Sequence, residues 1–224
     1  MLDGKARLEP QKRFFVLYVL HVYDSGIEMS KEPSTEDRAL VERFKGGDES
    51  AFDKLVDKYS GRAYSIAYGL LGNREDAEEV AQDTFVRIHR ALKSFRGDAE
   101  FTTWMYRIAT NLSRNKYRWN RSRGVNETES LNAPMEGTEG ADGLYRDTPD
   151  ERMSPDEALR YQELQGRLMD ELQKMPEMYR EVLVMRNQRE MSYEEIAQAL
   201  SCKLGTVKSR IARARDELRE RLEL

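Results

Sequence analysis

Residues 101–119, with the sequence FTTWMYRIATNLSRNKYRW, combine the side-chain types that bind unpaired nucleic acid. Aromatic rings stack on bases, amides hydrogen-bond to base edges, and arginine or lysine side chains bind phosphates. The apolar residues recur at helical spacing, which predicts one long helix with a buried stripe of Phe101, Trp104, Met105, Ile108 and Leu112. The predicted outward face carries Thr103, Tyr106, Arg107, Thr110, Arg114, Tyr117 and Arg118, with Asn111 and Asn115 on its flank. Because a solvated basic face would show the same pattern, this helix by itself leaves both interpretations open.

A second basic face lies near the C-terminus, where residues 203–215 contain five lysines or arginines and no acid. The preceding Ser192 and Glu195 form a capping-box pattern, which predicts a short helix, a tight turn and a final helix to about Leu222. This order is typical of a helix-turn-helix, whose second helix enters the major groove of DNA. The side chains predicted to face outward on that helix are Thr206, Ser209, Arg210 and Arg213. An ordinary helical hairpin with a basic rim is the alternative.

A polar patch on another predicted helix could bind a protein partner. It comprises Asp76, Glu79, Gln82, Asp83 and Arg87, with Phe85 at the edge of the buried stripe. A solvated helix face is the alternative interpretation. The acids near the start of this helix would also interact favourably with the helix dipole, which requires no partner.

The elements that must position these three faces form two helical groups. Asp48 and Asn73 are predicted to cap the second and third helices, and a loop at residues 94–98 leads into the 101–119 helix. Residues 122–158 contain ten acids, three basic residues and three prolines without an apolar period, which predicts a flexible linker. We therefore predict an all-α chain with two small helical domains. Its segments are an extension at 1–34, a domain at 35–121, an acidic linker at 122–153 and a helix-turn-helix domain at 154–224.

The N-terminal extension contains a short apolar run, FFVLYVLHV, that stays outside this fold prediction. The run is too short to span a bilayer, and no convincing cleavage site for a signal peptide follows it. We expect residues 1–28 to be a poorly ordered extension, or to be untranslated with Met29 as the start. A membrane or targeting role is the alternative.

The sequence contains no visible catalytic constellation, which makes an enzyme the least favoured class. The 224 residues suffice for one or two domains, and the net charge of −4 is divided into acidic and basic blocks. The single cysteine, Cys202, excludes an internal disulfide and a cysteine-based zinc site, and it suits a reducing cytoplasm. We see no metal-ligand cluster, nucleophile elbow or phosphate loop in the sequence. We therefore expect no catalytic activity and no cofactor.

Three segments of the chain resemble extracytoplasmic-function sigma factors of the sigma-70 superfamily. They are DAEEVAQDTFVRIHRALKSFRG at 76–97, FTTWMYRIATN at 101–111 and MSYEEIAQALSCKLGTVKSRIARARDEL at 191–218. They occur in the family's order, and the resemblance covers about 36–120 and 155–222. It implies a cytoplasmic sigma factor that docks on core RNA polymerase and directs promoter-specific transcription initiation. It also implies that the linker threads the polymerase channel and that an anti-sigma factor controls the protein.

The resemblance implies a role for each of the three faces. The residues matching the polymerase-docking motif are Asp76, Glu79, Gln82, Asp83 and Phe85. Those implied to bind the melted strand of the minus-ten element are Phe95, Tyr106, Arg107, Ile108, Asn111, Arg114 and Asn115. Those implied to bind the minus-thirty-five duplex are Thr206, Lys208, Ser209, Arg210 and Arg213. Ile108 fits its role least well because the helical periodicity places it inward, and Ala212 departs from the bulkier residue of some family members.

Two other functions remain consistent with the residues themselves. A stand-alone helix-turn-helix regulator would bind duplex DNA without polymerase, but it would need a dimer interface or an effector domain. An RNA-binding or scaffold protein would use the 101–119 face on RNA. Tight promoter binding without polymerase would favour the first, and a preference for RNA over promoter DNA would favour the second.

Overall fold

The computed structural model describes residues 35–123, 155–187 and 191–222, and the regular structure within these ranges is entirely helical. The helices are α1 (Thr35–Lys45), α2 (Ser50–Leu71), α3 (Arg74–Leu92), α4 (Phe101–Ser122), α5 (Pro155–Lys174), α6 (Glu177–Asn187), α7 (Tyr193–Ala199) and α8 (Leu204–Arg221). The predicted all-α class is confirmed. The extension at 1–34 and nearly all of the predicted linker lie outside the described residues. No helix in the described ranges is long and apolar enough to cross a membrane.

In the N-terminal half, α2, α3 and α4 pack against one another, and α1 packs on α2. The predicted cap of α3 is confirmed, because the Asn73 Oδ1 atom accepts a hydrogen bond from the Asp76 amide at 3.0 Å. The predicted capping by Asp48 is also present at the start of α2, because the Asp48 Oδ1 atom accepts a hydrogen bond from the Ser50 amide at 3.1 Å. Glu49, the residue directly before α2, has helical backbone angles and makes no capping hydrogen bond with its side chain.

In the C-terminal half, α7, a short turn and α8 form the predicted helix-turn-helix, and α6 packs on α8. The predicted capping box is confirmed: the Ser192 hydroxyl accepts a hydrogen bond from the Glu195 amide at 3.1 Å, and Glu195 accepts one from the Ser192 amide at 2.7 Å. The buried face of α8 consists of Val207, Ile211, Ala214 and Leu218. Leu204, at the start of α8, is only partly buried.

The capping box makes Ser192→Ala a direct test of how the helix-turn-helix is stabilised. We expect a loss of about 1 kcal/mol in the free energy of unfolding, because an amide of the first turn of α7 loses its partner. Urea unfolding measures this loss. Ser122→Ala is the control, since the exposed Ser122 hydroxyl donates only to the Trp119 carbonyl of its own helix. An equal loss in both variants would contradict a specific capping contribution.

The two halves share one hydrophobic core, which the sequence did not predict. Helix α2 contacts α5 and α6, α4 contacts α7, and the buried residues form a continuous cluster through both halves. At this junction, α2 ends at Gly72, whose left-handed φ of 70° favours glycine. A Cβ atom at Gly72 would lie 2.8 Å from Gln173 Cγ, and Gln173 Nε2 donates to the Gly69 carbonyl at 3.1 Å. Gly72 therefore ends α2, and its lack of a side chain leaves space for Gln173 of the C-terminal half.

Candidate nucleic-acid interface

The loop before α4 belongs structurally to that helix. The rings of Phe95 and Trp104 stack with centroids 4.7 Å apart and an interplanar angle of 29°. Trp104 also meets the buried Phe101 edge-on, with centroids 6.3 Å apart. Aromatic pairs at these distances gain about 0.5–1.5 kcal/mol beyond their burial. The Phe95 side chain is thus held against the start of α4, where the sequence placed a candidate base-binding loop.

The residues predicted to bind unpaired bases lie in three different environments. Arg107, Asn111 and Asn115 are exposed, while Phe95, Ile108 and Arg114 are partly buried. Ile108 packs on a small apolar cluster that contains Val80 and Leu112, which confirms its inward direction. Tyr106 is only 2% exposed, so the prediction that it faces outward is wrong. The exposed candidates of this group therefore lie on one flank of the predicted face.

The physical reason is that the C-terminal half covers the face of α4 that carries Tyr106. Thr103 and Thr110, which share this face, are also buried. Farther along α4, the Arg180 guanidinium of α6 lies over the Tyr117 ring, 4.5 Å from its centroid. Helical periodicity shows which residues share one side of a helix, but it does not show whether another part of the protein packs on that side. The exposed fraction of this face was therefore overestimated.

Two acids of α6 bind arginines of α4. Arg114 Nη2 lies 2.6 Å from Glu181 Oε1, and Arg114 Nε lies 3.2 Å from Glu177 Oε1. Glu177 Oε1 is also 3.7 Å from Arg118 Nη2. Burial raises the pKa of Glu181 above its ordinary value, although Arg114 and Arg210 act in the opposite direction. This acidic pair was not predicted from the sequence, although two acids four positions apart on one helix lie on the same face.

The predicted docking acids at the start of α3 have partners on α4. Lys116 Nζ lies 2.5 Å from Glu79 Oε2 and 3.1 Å from Asp76 Oδ1. Burial would lower the pKa of Lys116, but its hydrogen bonds to Glu79 and Asp76 outweigh this effect and raise it. Asn120 Nδ2 also donates to Asp76 Oδ2 at 2.5 Å. Asp76 and Glu79 thus connect α3 to α4.

The rest of the predicted docking patch is a different kind of surface. Gln82 and Asp83 are exposed, and Phe85 is buried to 8% exposure beneath them. Beside them, α2 and α3 form an apolar groove of about 460 Å³. The groove is lined by Phe52, Val56, Ser60, Ala81, Gln82, Phe85, Val86, His89 and Arg90. An apolar groove whose lining includes the exposed Gln82, next to the exposed Asp83 in sequence, is suited to a protein partner, since interface centres are apolar and their rims polar.

The residues of α8 that were predicted to bind duplex DNA are only partly exposed as a group. Lys208, Ser209 and Arg213 are exposed, whereas Thr206 and Arg210 are partly buried. Ser209 donates its hydroxyl proton to the Thr206 carbonyl at 3.0 Å, which leaves its oxygen as an acceptor. Within the described residues, no three His, Cys, Asp or Glu side chains converge on a possible metal site.

Comparisons with known protein families match both halves of the chain. Residues 55–123 match the family model of sigma-70 region 2, and residues 165–218 match that of sigma-70 region 4. The chain is 36% identical over 182 residues to the ECF RNA polymerase sigma factor SigW of Bacillus subtilis, covering 81% of this chain and 94% of the relative. It is also 36% identical over 188 residues to the RNA polymerase sigma-H factor of Pseudomonas aeruginosa, covering 84% and 94%.

Solved structures show the same likeness. The fold is similar to that of CnrH in its complex with the cytosolic domain of CnrY, with a TM-score of 0.59 and 28% identity. That similarity covers 84% of this chain and 97% of CnrH. The sigma factor RpoE in its complex with NepR from Bartonella quintana shares the fold with a TM-score of 0.54 at 24% identity. This match covers 77% of this chain and 97% of RpoE.

Proposed function

Because the chain belongs to the extracytoplasmic-function sigma factors of the sigma-70 superfamily, we propose that it initiates transcription by contacting core RNA polymerase and two promoter elements. The observation that carries this proposal is the presence of both sigma-70 regions in one chain, each with a basic face at its predicted nucleic-acid helix. A cytoplasmic location follows from this function. An anti-sigma factor is a further proposed partner, since the similar CnrH forms a complex with the cytosolic domain of CnrY.

We propose that α4 and the Phe95 loop capture melted bases of the minus-ten element. Asn111 and Asn115 offer exposed amides, and the exposed Arg107 offers a cation for the strand's phosphates. Opening a DNA duplex costs on average about 1.4 kcal/mol per base step, while one stacked base recovers roughly 1–3 kcal/mol. A few captured bases cannot hold open a bubble of many base pairs. The protein therefore depends on polymerase to open the promoter and then holds the separated strand.

We propose that α8 reads the minus-thirty-five element as duplex DNA. Lys208, Arg210 and Arg213 supply the cations on this helix, with Thr206 and Ser209 between them. A bidentate arginine–guanine contact contributes about 1–3 kcal/mol of discrimination, so one helix is a weak reader by itself. The duplex contact and the single-strand contact together explain how one small protein selects a promoter.

We propose that Asp83, Gln82 and the adjoining groove form the part of the polymerase-docking surface that is open to a partner. Phe85 supports this surface from below. Asp76 and Glu79 remain part of the proposed surface, although both also hold Lys116. Glu79 is the more accessible of the two, with a side chain 59% exposed against 16% for Asp76.

In vitro transcription with core polymerase and a library of promoter sequences tests the proposed function. We expect transcripts from a subset of templates that share two sequence elements, and only when the protein is added. Tight gel-shift binding to the same promoters without polymerase would instead favour a stand-alone regulator. Permanganate-reactive thymines produced by the protein without polymerase would contradict the proposed dependence on polymerase.

Asn111→Ala tests the strand-capture step separately. We expect roughly 5- to 150-fold fewer open complexes, which corresponds to one lost base contact of about 1–3 kcal/mol. Permanganate reactivity of the promoter in the presence of polymerase measures the open complex, and a pull-down measures polymerase binding, which we expect to be unchanged. Lys54→Ala is the control at an exposed position of α2. Equal losses in polymerase binding and in opening would count against strand capture by Asn111.

A further inference from the structure

Trp119, in the last turn of α4, has an aromatic ring that is open to solvent. It is 46% exposed, whereas the other aromatic side chains whose burial the structure describes are buried or partly buried. A single exposed apolar side chain needs no functional explanation by itself. Trp119 differs from that ordinary case in its place on the helix and in the charges around its ring.

Trp119 continues the row of exposed side chains that is proposed to bind the melted strand. Arg107, Asn111, Asn115 and Trp119 are all exposed, and they follow one another at intervals of four residues. Residues four apart are neighbours on a helix surface, so these side chains form one row along α4. Each interval advances about 6 Å along the helix axis. Because stacked bases of one strand are only about 3.4 Å apart, a base at Trp119 is a different base from the one at Asn115.

Two cations lie beside the Trp119 ring. Lys116 Nζ is 5.3 Å from the ring centroid, and Arg123 Cζ is 4.1 Å from it. A cation over a ring face is attracted by the negative charge of that face. At about 100° per residue, the Cα atoms of both cations lie on one side of Trp119 around the helix, and that of Asn115 lies on the other side. The side of the ring toward Asn115 is therefore the side on which a flat ligand can stack.

The surroundings of Trp119 favour a nucleic-acid base over an apolar protein surface. Arg118, Arg121 and Arg123 are all exposed around it. The centres of protein interfaces are depleted of charged residues, whereas sites for unpaired DNA combine aromatic rings with cations for the backbone. Every base has a π-face, so stacking on the indole ring requires no particular sequence.

We infer that Trp119 stacks on one unpaired base of the promoter strand, next to the base at Asn115. The inference rests on the proposed function, because it adds a base contact to the same strand-binding helix. Lys116 and Arg123 are positioning residues, which hold the ring from its other side. The melted segment that α4 holds is then one base longer than the segment that Asn111 and Asn115 hold.

Trp119→Ala tests the inference through binding of the full chain to a short single-stranded oligodeoxyadenylate. We expect the affinity to fall roughly 5- to 150-fold, which corresponds to the loss of one stacked base. An oligonucleotide of equal length that is abasic throughout has the same phosphates, so the parent and the variant should bind it equally. Trp119→Phe keeps an aromatic ring and should retain an affinity within about threefold of the parent.

Tryptophan fluorescence provides a second measurement of the same contact. Addition of the oligodeoxyadenylate should quench the emission of the parent protein, and the abasic oligonucleotide should not. Trp119→Phe should lose most of this quenching, because the other tryptophan, Trp104, is partly buried and stacked on Phe95.

Met178→Ala is the matched control, since it removes a side chain of similar exposure, 48%, from α6. It should bind both oligonucleotides as the parent does. Circular dichroism checks that each variant is folded, and the fluorescence of the parent requires no variant at all.

Equal losses on the two oligonucleotides would show that the ring only supports the cations around it, and they would overturn the inference. Unchanged binding of Trp119→Ala, an equal loss in Met178→Ala, or a parent protein that does not distinguish the two oligonucleotides would also overturn it. A loss confined to the oligonucleotide that carries bases supports it.

Permanganate reactivity with core polymerase then relates the contact to the promoter. We expect Trp119→Ala to reduce the open complexes, and unchanged opening would overturn the assignment of the promoter strand as the ligand. If the base-dependent binding holds but the parent protein supports no transcription with core polymerase on any promoter, the proposed function fails while the stacking site stands. If transcription is supported but the binding does not depend on bases, only the stacking site fails.

Discussion

Asp83→Arg is expected to weaken binding of the protein to core polymerase by roughly a hundredfold or more. Asp83 is exposed and directly follows Gln82, which lines the apolar groove, so we expect the proposed partner to bring a complementary cation to its carboxylate. Like charges placed together at an interface cost several kcal/mol, and each 1.4 kcal/mol is a tenfold change in affinity. Titration of labelled protein with core polymerase measures the change. Transcription at limiting protein should fall in proportion.

The control for this prediction is Asp57→Arg, an equal charge reversal at an exposed position of α2 that is not one of the proposed docking residues. Both variants should retain the stability of the parent within about 0.5 kcal/mol, since neither site is buried. Comparable losses in the two variants would indicate a general charge effect. Unchanged affinity of Asp83→Arg would remove this face from the proposed docking surface.

Arg210→Ala is expected to reduce transcription from promoters with the preferred minus-thirty-five element by roughly 5- to 150-fold. This range corresponds to the loss of one arginine–base contact of about 1–3 kcal/mol. The assay uses the protein bound to core polymerase, because the proposed promoter contacts are made in that complex. Paired templates with and without the element separate base reading from phosphate binding. Arg219→Ala, at an exposed position near the end of α8, is the control.

A loss confined to templates that carry the element would assign base recognition to Arg210. An equal loss on both templates would show that the guanidinium binds phosphate only. The salt dependence provides a second measure, because each phosphate contact contributes about one unit to the slope of affinity against salt concentration on logarithmic axes. No loss on either template would contradict a DNA-binding role for Arg210.

The boundaries of the helices were largely predictable because their signals are local. Asn73 caps α3, the Ser192–Glu195 capping box starts α7, and Pro176 separates α5 from α6. These signals depend on residues within one helical turn, so a single sequence contains all the information they require. The inward direction of Ile108 was predictable for the same reason, since its periodicity matches the apolar stripe.

The surface of α4 was less predictable because threonine, tyrosine and arginine suit a solvated face, a nucleic-acid face and a domain interface alike. Tyr106 and Thr110 were expected to face outward, but both are buried where the C-terminal half packs. Residues distant in sequence determine that burial, and no local pattern reports it. Glu177 and Glu181 were missed because their partner, Arg114, lies more than sixty positions away.

The pairing of Lys116 with Asp76 and Glu79 links two proposed sites that polymerase and DNA would use separately. A cation of the polymerase that takes over Glu79 removes one of the charges that hold Lys116, whose Nζ atom is then freer to bind a DNA phosphate. Thermodynamic reciprocity requires that each ligand change the affinity for the other by the same factor. If docking and strand binding use these residues as proposed, the salt bridges at the α3–α4 contact are expected to make the two events cooperative even without a change in the shape of the domain.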